Sequence, residues 1–346
     1  MTISDLINQE PRLECKYGEN GYQTPAALYS SDTGDALALD RFEVVQGAAP
    51  SYNNLCDLDR LLQTSTHIAA GFDVNRGSVP FIAVAGKHGN PCGAAVGRDR
   101  AGVVQRALEG DLRAVFGGLI LLNFEIDEEM AEVLMTHRMG EGMRRLLDGI
   151  ISPGFTPEAM AMLQRKGDKC RLLANPALAG LDGGSLDAAR RFRYVRGGFL
   201  AQPNYTFVPN LVDGSVEKVG QATEGQVDDM ILAWAIGSTS NSNTVCLVRE
   251  GMLIGNGVGQ QDRVGGCKLA VMRATDAGHS TEAAVAYSDS FFPFLDGPAE
   301  LAGAGINAVL ATSGSVRDEE VKAYCREEGM ALYLYPDSEG RGFFGH

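Results

Sequence analysis

The sequence predicts a layered α/β protein. Short apolar runs bounded by glycine, proline or asparagine read as buried strands, and the segments between them carry apolar residues at helical spacing. The two kinds alternate along most of the 346 residues.

Residues 42–49 and 80–85 (PFIAVA) are the first two strands, with a helix over 54–70 between them. Next comes VAGKHGNPCGAAVG (84–97), which sets Lys87 beside His88 in an otherwise apolar and small-residue run. On a continuous strand these two side chains project to opposite faces, so both serve one site only if the strand breaks. Gly86, Gly89, Asn90, Pro91 and Gly93 supply that break, and the strand end is expected to open into a loop and then a helix. The spacing predicts a helix at RAGVVQRALEGD (100–111), a strand at FGGLILLNFEI (116–126) and one helix over 127–149, opened by acidic residues. GIISPGF (149–155) is a strand and turn, after which Thr156 caps a helix that has Pro157 in its first position.

Residues 199–225, polar and punctuated by Pro203, Asn204, Pro209, Asn210 and Gly214, read as a connection between an N-terminal lobe (1–198) and a C-terminal lobe (226–346). The second lobe opens with a helix around Trp234 and two strands, TVCLVRE and MLIGNGV, joined at Glu250–Gly251. A helix after Gln260 follows, then strand AAVAYSD, helix PAELAGAG and strand INAVLATSG. Ser315 caps a last helix that ends at Gly329, and ALYLY is the final strand. Each half holds a glycine-bordered polar motif, a helix and an apolar strand ending in Phe-Gly-Gly or Ser-Asp-Ser-Phe-Phe, a weak sign of duplication.

Composition narrows the function classes. The formal charge of −14 and the lack of a basic stripe argue against nucleic acid, and no apolar run reaches the length of a membrane span. The N-terminus has no cationic region leading into an apolar stretch, so the expected location is the cytoplasm. Seven scattered cysteines, never spaced as CxxC, point to reduced and mostly buried thiols. Pro91-Cys92 lacks the second cysteine and the His-x-Glu of a zinc nucleobase deaminase, and GNGVGQ (255–260) lacks the ribose-binding acid of a dinucleotide loop. The Lys87-His88 pair admits two readings: a solvated lysine beside a carbonyl-bonded histidine, or a general base next to a cation that stabilises an oxyanion.

Five segments resemble the transformylase half of the bifunctional purine-biosynthesis enzyme, which carries 5-aminoimidazole-4-carboxamide ribonucleotide (AICAR) formyltransferase. They are KYGENGYQTPA (16–26), NNLCD (53–57), KHGNPCGAAVG (87–97), SNTVCLVREGMLIGNGVGQQDR (242–263) and SDSFFPFLDG (288–297), with VFGGLILLN, DGIISPGF and VRGGFLAQ in order between them. The resemblance implies transfer of the formyl group of 10-formyltetrahydrofolate to the 5-amine of AICAR, with His88 as base, Lys87 as oxyanion stabiliser and Asn243 orienting the formyl or carboxamide group. Lys16 and Arg341 would hold the phosphate, Tyr17 would pack on the nucleotide, Asn54 and Asp148 would contact ribose or base, and Gly117 would admit the ligand to the backbone. Phe291, Phe292, Pro293 and Phe294 would wall the pterin, Asp296 would give it polar contacts, and Arg263 would face the folate carboxylates or brace the loop.

The same resemblance implies tandem cytidine-deaminase-like three-layer α/β/α lobes, a homodimer with shared sites, a candidate potassium ion near STSNSN (238–243), and a free-standing chain working with a separate IMP cyclohydrolase. Lys16 stands where the family usually has arginine, Gly21-Tyr22 where it has Pro-His, Asp262 where it has a small polar residue, and Leu295 where it has arginine. These departures leave a non-catalytic AICAR-binding sensor as the alternative expectation.

Overall fold

The computed structural model describes residues 10–30, 32–214 and 216–345. Packing divides them into two compact units: residues up to 62 with 81–180, and residues 63–80 with those from 181 onward. The division differs from the expected lobes, because residues 199–225 belong inside the second unit and contain strand structure of their own.

The first unit opens with a small hairpin, β1 (Leu13–Cys15) and β2 (Ala26–Leu28), followed by β3 (Glu43–Gln46) and helix α1 (Tyr52–Arg76). The unit boundary falls inside α1, after Leu62. Strands β4 (Phe81–Lys87) and β5 (Asn90–Gly97) pair as an antiparallel hairpin with Lys87 opposite Asn90. The run of Gly, Asn and Pro after His88 is therefore a returning strand and not the expected loop into a helix, because a two-residue turn suffices to reverse the chain. Helix α2 (Arg100–Glu109), capped by Asp99, and the short α3 (Leu112–Val115), capped by Asp111, lead to β6 (Leu119–Leu122). Helix α4 (Glu128–Thr136), β7 (Gly149–Ser152), α5 (Pro157–Leu163) and β8 (Arg171–Ala174) complete the unit. The strand order is β5-β4-β6-β7-β8-β3, with β6, β7 and β8 parallel and the others antiparallel to their neighbours.

Helix α4 stops at Thr136, thirteen residues short of the expected end at 149. Arg138 takes a left-handed φ of 58°, and Gly142 one of 71°, so the chain turns out of the helix although its apolar residues keep helical spacing. Elsewhere local rules hold, as at α5, where Thr156 accepts the Ala159 N–H and Pro157 takes the first position.

The second unit carries a separate two-stranded ribbon, β9 (Arg190–Val195) and β10 (Gly198–Pro203), then β11 (Glu217–Val219) and α6 (Glu224–Gly237). The hairpin β12 (Val245–Arg249) and β13 (Met252–Gly257) leads to α7 (Arg263–Asp276), β14 (Val285–Ser288), α8 (Asp296–Gly303), β15 (Ala308–Ser313), α9 (Asp318–Glu327), β16 (Ala331–Pro336) and the short α10 (Asp337–Gly340). Their order is β11-β16-β15-β14-β12-β13.

Each unit has three layers. In the first, Ala83, Ala85, Ile120 and Leu122 pack against α2 and α4, while the opposite face meets α1 so closely that a Cβ on Gly86 would lie 2.9 Å from Leu61. In the second, Val245, Leu247, Ala286 and Val309 pack against α7, α8 and α9, and Cys246 on the other face reaches the Ala233 carbonyl of α6 at 3.1 Å. Five of the seven cysteines are buried.

Candidate functional site

In the first unit the candidate residues gather where β4 ends and where β6 and β7 begin. Because β4 runs antiparallel to β6 and pairs Gly86 with Leu119, its C-terminal end meets the Phe116-Gly117-Gly118 turn. Lys87 Nζ donates to the Phe116 carbonyl at 2.8 Å. Gly117, at φ 71°, donates its N–H to Leu146 O, and Asp148 N donates to Gly118 O. A Cβ on Gly117 would stand 3.8 Å from Lys87 Nζ, an ordinary contact, so it is the left-handed φ that asks for glycine here. Arg165 Nη1 lies 3.4 Å from Asp148 Oδ1 in a partly exposed pair.

His88 and Gly89 are the two central residues of the β4–β5 turn, with φ of 54° and 70°. Positive φ at both positions is the signature of a tight hairpin turn, and histidine is among the few side chains that adopt it at modest cost. His88 is exposed at the tip. The turn is tied down by a residue whose role sequence reasoning missed: Asp57 of α1, whose Oδ1 accepts the Gly89 N–H at 2.7 Å. Burial pushes the Asp57 carboxyl above its usual range, opposed by the Gly89 and His88 N–H groups and by the charges of His88 and Arg60. An apolar strand, a residue-glycine pair and a second apolar strand was the available signal for this turn.

Lys16 and Tyr17 are exposed on the β1–β2 loop. That loop lies against the start of α1, where Asn53 Nδ2 donates to Glu19 O at 3.3 Å. Ser51 caps α1 there by accepting the Asn54 N–H, and Asn54 reaches back, its Oδ1 accepting from Ser51 N and Ser51 Oγ.

The second unit holds a polar cluster behind α7. Arg263, the first residue of that helix, donates Nη2 to Asn243 Oδ1 at 2.8 Å and Nη1 to Asp289 Oδ1. Its side chain is 10% exposed and that of Asp289 is fully buried, so this is a buried, charge-assisted pair. Asp289 was not anticipated as a partner. It also accepts the Thr244 N–H at 3.0 Å, and Asn243 Nδ2 donates to Gln260 O at 2.9 Å, which fixes the amide from both ends. Asp262 caps α7 through the Gly265 N–H, so the carboxylate found in place of a small polar residue has a local structural use.

Of the aromatic segment, Phe292 lies in the core, where a Cβ on Gly297 would meet it at 2.7 Å, whereas Phe294 is exposed under the Arg317 guanidinium. Phe291 and Pro293 are half-buried, and Asp296 is exposed at the start of α8 with its Oδ1 on the Gly297 N–H. The Arg341 guanidinium lies 5.7 Å from the Phe291 ring centre and pairs with Asp337, which also accepts from Ser290 and Thr312 hydroxyls. In the STSNSN turn, Ser238 Oγ is buried without a hydrogen-bond partner among the described residues.

Three-layer α/β units with these motifs define the class. The family model described as AICARFT/IMPCHase bienzyme matches residues 4–273, and the chain belongs to that family. It is 36% identical over 328 residues to the bifunctional purine biosynthesis protein PurH of Prochlorococcus marinus (strain MIT 9303), a match covering 93% of this chain and 59% of that protein. The chain thus spans about three-fifths of the length of that curated relative. Among the described residues no helix is long and apolar enough to cross a membrane.

Proposed function

We propose that the chain is an enzyme of purine biosynthesis that transfers the formyl group of 10-formyltetrahydrofolate to the 5-amine of AICAR. The observation that supports this best is the Lys87 ammonium held on the Phe116 carbonyl at the end of β4, with His88 exposed on the turn one residue further on. The amine nitrogen attacks the formyl carbon, and the carbonyl electron pair moves onto oxygen, where Lys87 stabilises the negative charge. His88 takes the proton that the amine must lose, then returns it to N10 of the folate as the C–N10 bond breaks. Formyl-AICAR and tetrahydrofolate result. Asn243, oriented by Arg263 and Gln260, serves to align a carbonyl or carboxamide group. Lys16, Tyr17, Asn54, Asp148 and Arg341 are assigned to the nucleotide; Arg263, Phe291, Pro293, Phe294 and Asp296 are assigned to the folate or its supporting loop. Phe292 acts from the core as a support. The candidate potassium ion is assigned to the STSNSN turn, where the buried Ser238 Oγ is an oxygen with no hydrogen-bond partner among the described residues; the ion would add fixed positive charge there.

The chain is further proposed to work as a homodimer in the cytoplasm, with ring closure by a separate cyclohydrolase. Cross-strand pairing puts Phe192, Tyr194 and Phe199 on one face of the β9–β10 ribbon, and all three are exposed. Arg191, on the opposite face, rests on the Phe344 ring at 3.4 Å. A two-stranded ribbon is marginal by itself, and its four arginines (190, 191, 193 and 196) complement a chain of net charge −14. A second copy is the occupant that satisfies both.

Purified protein incubated with AICAR and 10-formyltetrahydrofolate should release tetrahydrofolate. Nucleotide binding without that release would replace the enzyme by the sensor, and IMP in the products would remove the separate cyclohydrolase. Sedimentation should give twice the 36.8 kDa chain mass, moving towards one chain in a Tyr194→Ser, Phe199→Ser variant.

A further inference from the structure

The geometry points to Asp337 as a positioning residue that grips the Arg341 guanidinium along one side and so aims its free end at the phosphate of a 5′-nucleotide. This rests on the reading of Arg341 as a nucleotide residue. Arg341 Nε lies 3.1 Å from Asp337 Oδ1, and Nη2 lies 2.8 Å from Oδ2. A guanidinium carries five N–H donors, and this side-on pairing uses the one on Nε and one of those on Nη2. Both Nη1 hydrogens and the second Nη2 hydrogen have no protein partner among the described residues, and the side chain is 44% exposed. The edge left over is the one that can fork onto a phosphate.

Asp337 is itself held. The hydroxyls of Ser290 and Thr312, both buried residues, donate to its Oδ1 at 2.8 Å and 2.6 Å. Ser290 lies just past the end of β14, Thr312 near the end of β15 and Asp337 just past β16, and these three strands are parallel neighbours. The carboxyl ends of parallel strands are where open α/β sheets take their ligands.

The backbone on either side of Arg341 is fixed as well. Tyr205 donates its hydroxyl to the Gly340 carbonyl at 2.8 Å, and the Arg341 N–H reaches Asp337 O at 3.2 Å. A Cβ on Gly340 would run into the Tyr335 and Phe207 rings, and one on Gly342 into the Tyr205 ring. What freedom remains lies in the arginine side chain, and the Asp337 carboxylate removes it.

Charge and position predict opposite signs here. By charge alone, Asp337 repels an anion approaching Arg341, so its removal would tighten phosphate binding. If it positions the guanidinium, its removal weakens that binding. The test is calorimetric titration of wild type, Asp337→Asn, Arg341→Ala and the double variant with AICAR and with its riboside, which lacks the phosphate. D337N should bind AICAR about tenfold more weakly and the riboside within about twofold of wild type. In the R341A background, D337N should change nothing further, since the group it positions is gone. In the formyl-transfer assay the loss should fall on KM for AICAR, with kcat within about threefold.

Tighter or unchanged AICAR binding in D337N, an equal loss for the riboside, or a further loss in the double variant overturns the inference. If D337N does not fold, Thr312→Val decides: loss of the hydroxyl that fixes Asp337 should weaken AICAR about two- to threefold and spare the riboside, and an unchanged AICAR affinity overturns the proposal. Binding is read without turnover. A protein that behaves as expected but releases no tetrahydrofolate sinks the formyl-transfer reading alone, whereas one that releases it without preferring AICAR to the riboside sinks this inference alone.

Discussion

The two units share one plan and differ in what they place on it. In each, an antiparallel hairpin is followed by an antiparallel neighbour, two further parallel strands and an antiparallel edge strand: β5-β4-β6-β7-β8-β3 in one, β13-β12-β14-β15-β16-β11 in the other. Close helix-on-strand approaches recur as well. A Cβ on Gly93 would fall 2.0 Å from the Ala107 carbonyl, and one on Gly255 would fall 2.2 Å from that of Ala270. The weak duplication signal in the sequence thus corresponds to a repeated topology. The candidate polar groups do not repeat. The first unit puts an ammonium and an imidazole at a solvent-facing turn, whereas the second buries an arginine, a carboxylate and an amide behind a helix. A duplicated scaffold leaves its turns and strand ends free to diverge, because the core depends on neither.

The largest expected effect sets turn against turn. His88→Ala should lower kcat by about 10²–10⁴-fold, the range of a lost general base, while Glu250→Ala at the matching position should change it less than twofold; initial rates of tetrahydrofolate release decide. Equal losses would mean that the turns matter only for folding.

Next come the two ion pairs. Asp289→Ala strands the Arg263 guanidinium in a buried site and should cost about 3–5 kcal/mol in urea unfolding. Asp148→Ala removes the solvated partner of Arg165 and should cost no more than about 1 kcal/mol. A mild effect at 289 would show that water reaches that pair.

Thermal or urea denaturation of Gly93→Ala and Gly255→Ala should show similar losses, about 1–3 kcal/mol each, since both methyl groups run into a helix carbonyl. Unequal losses would limit the repeat to topology.

The smallest effect is a pH slope with opposite contributions. Burial raises the Asp229 carboxyl to about 6, so the folded state keeps a proton that the unfolded chain has given up, and this group lowers stability as pH rises from about 4 to about 6. His67, fully buried and stacked on Tyr205, is lowered to about 4. Its unfolded form binds a proton that the native form refuses, so its contribution rises with pH from about 4 to about 6.5. Denaturant midpoints at several pH values should become more steeply rising in D229N, which loses the first slope and keeps the second.

Much of this was legible in the sequence. PFIAVA, TVCLVRE and ALYLY are strands because continuous apolar runs suit a sheet covered on both faces, and Thr156-Pro157 fixes a helix start by local chemistry alone. The reading failed where distant contacts decide. Met143, Leu146 and Leu147 keep helical spacing beyond α4, yet Arg138 and the glycines turn the chain away. The ribbon at 190–203 has apolar residues on an exposed face, which no burial rule selects. The candidate site follows the same division: Lys87 and His88 stand out in the chain itself and Gly117 only through the family resemblance, whereas Asp57 and Asp289 gain their roles only by meeting segments about thirty residues away.

Helix α1 begins in one unit and finishes in the other. No single scission of the polypeptide can therefore release an intact half. A fragment ending at Gly180 would carry the second part of the helix, with the fully buried Ile68, Ala69 and Ala70 stripped of their cover. Attempts to study either half alone should start from complementation of two co-expressed pieces, with the break placed in a surface turn and the helix left whole.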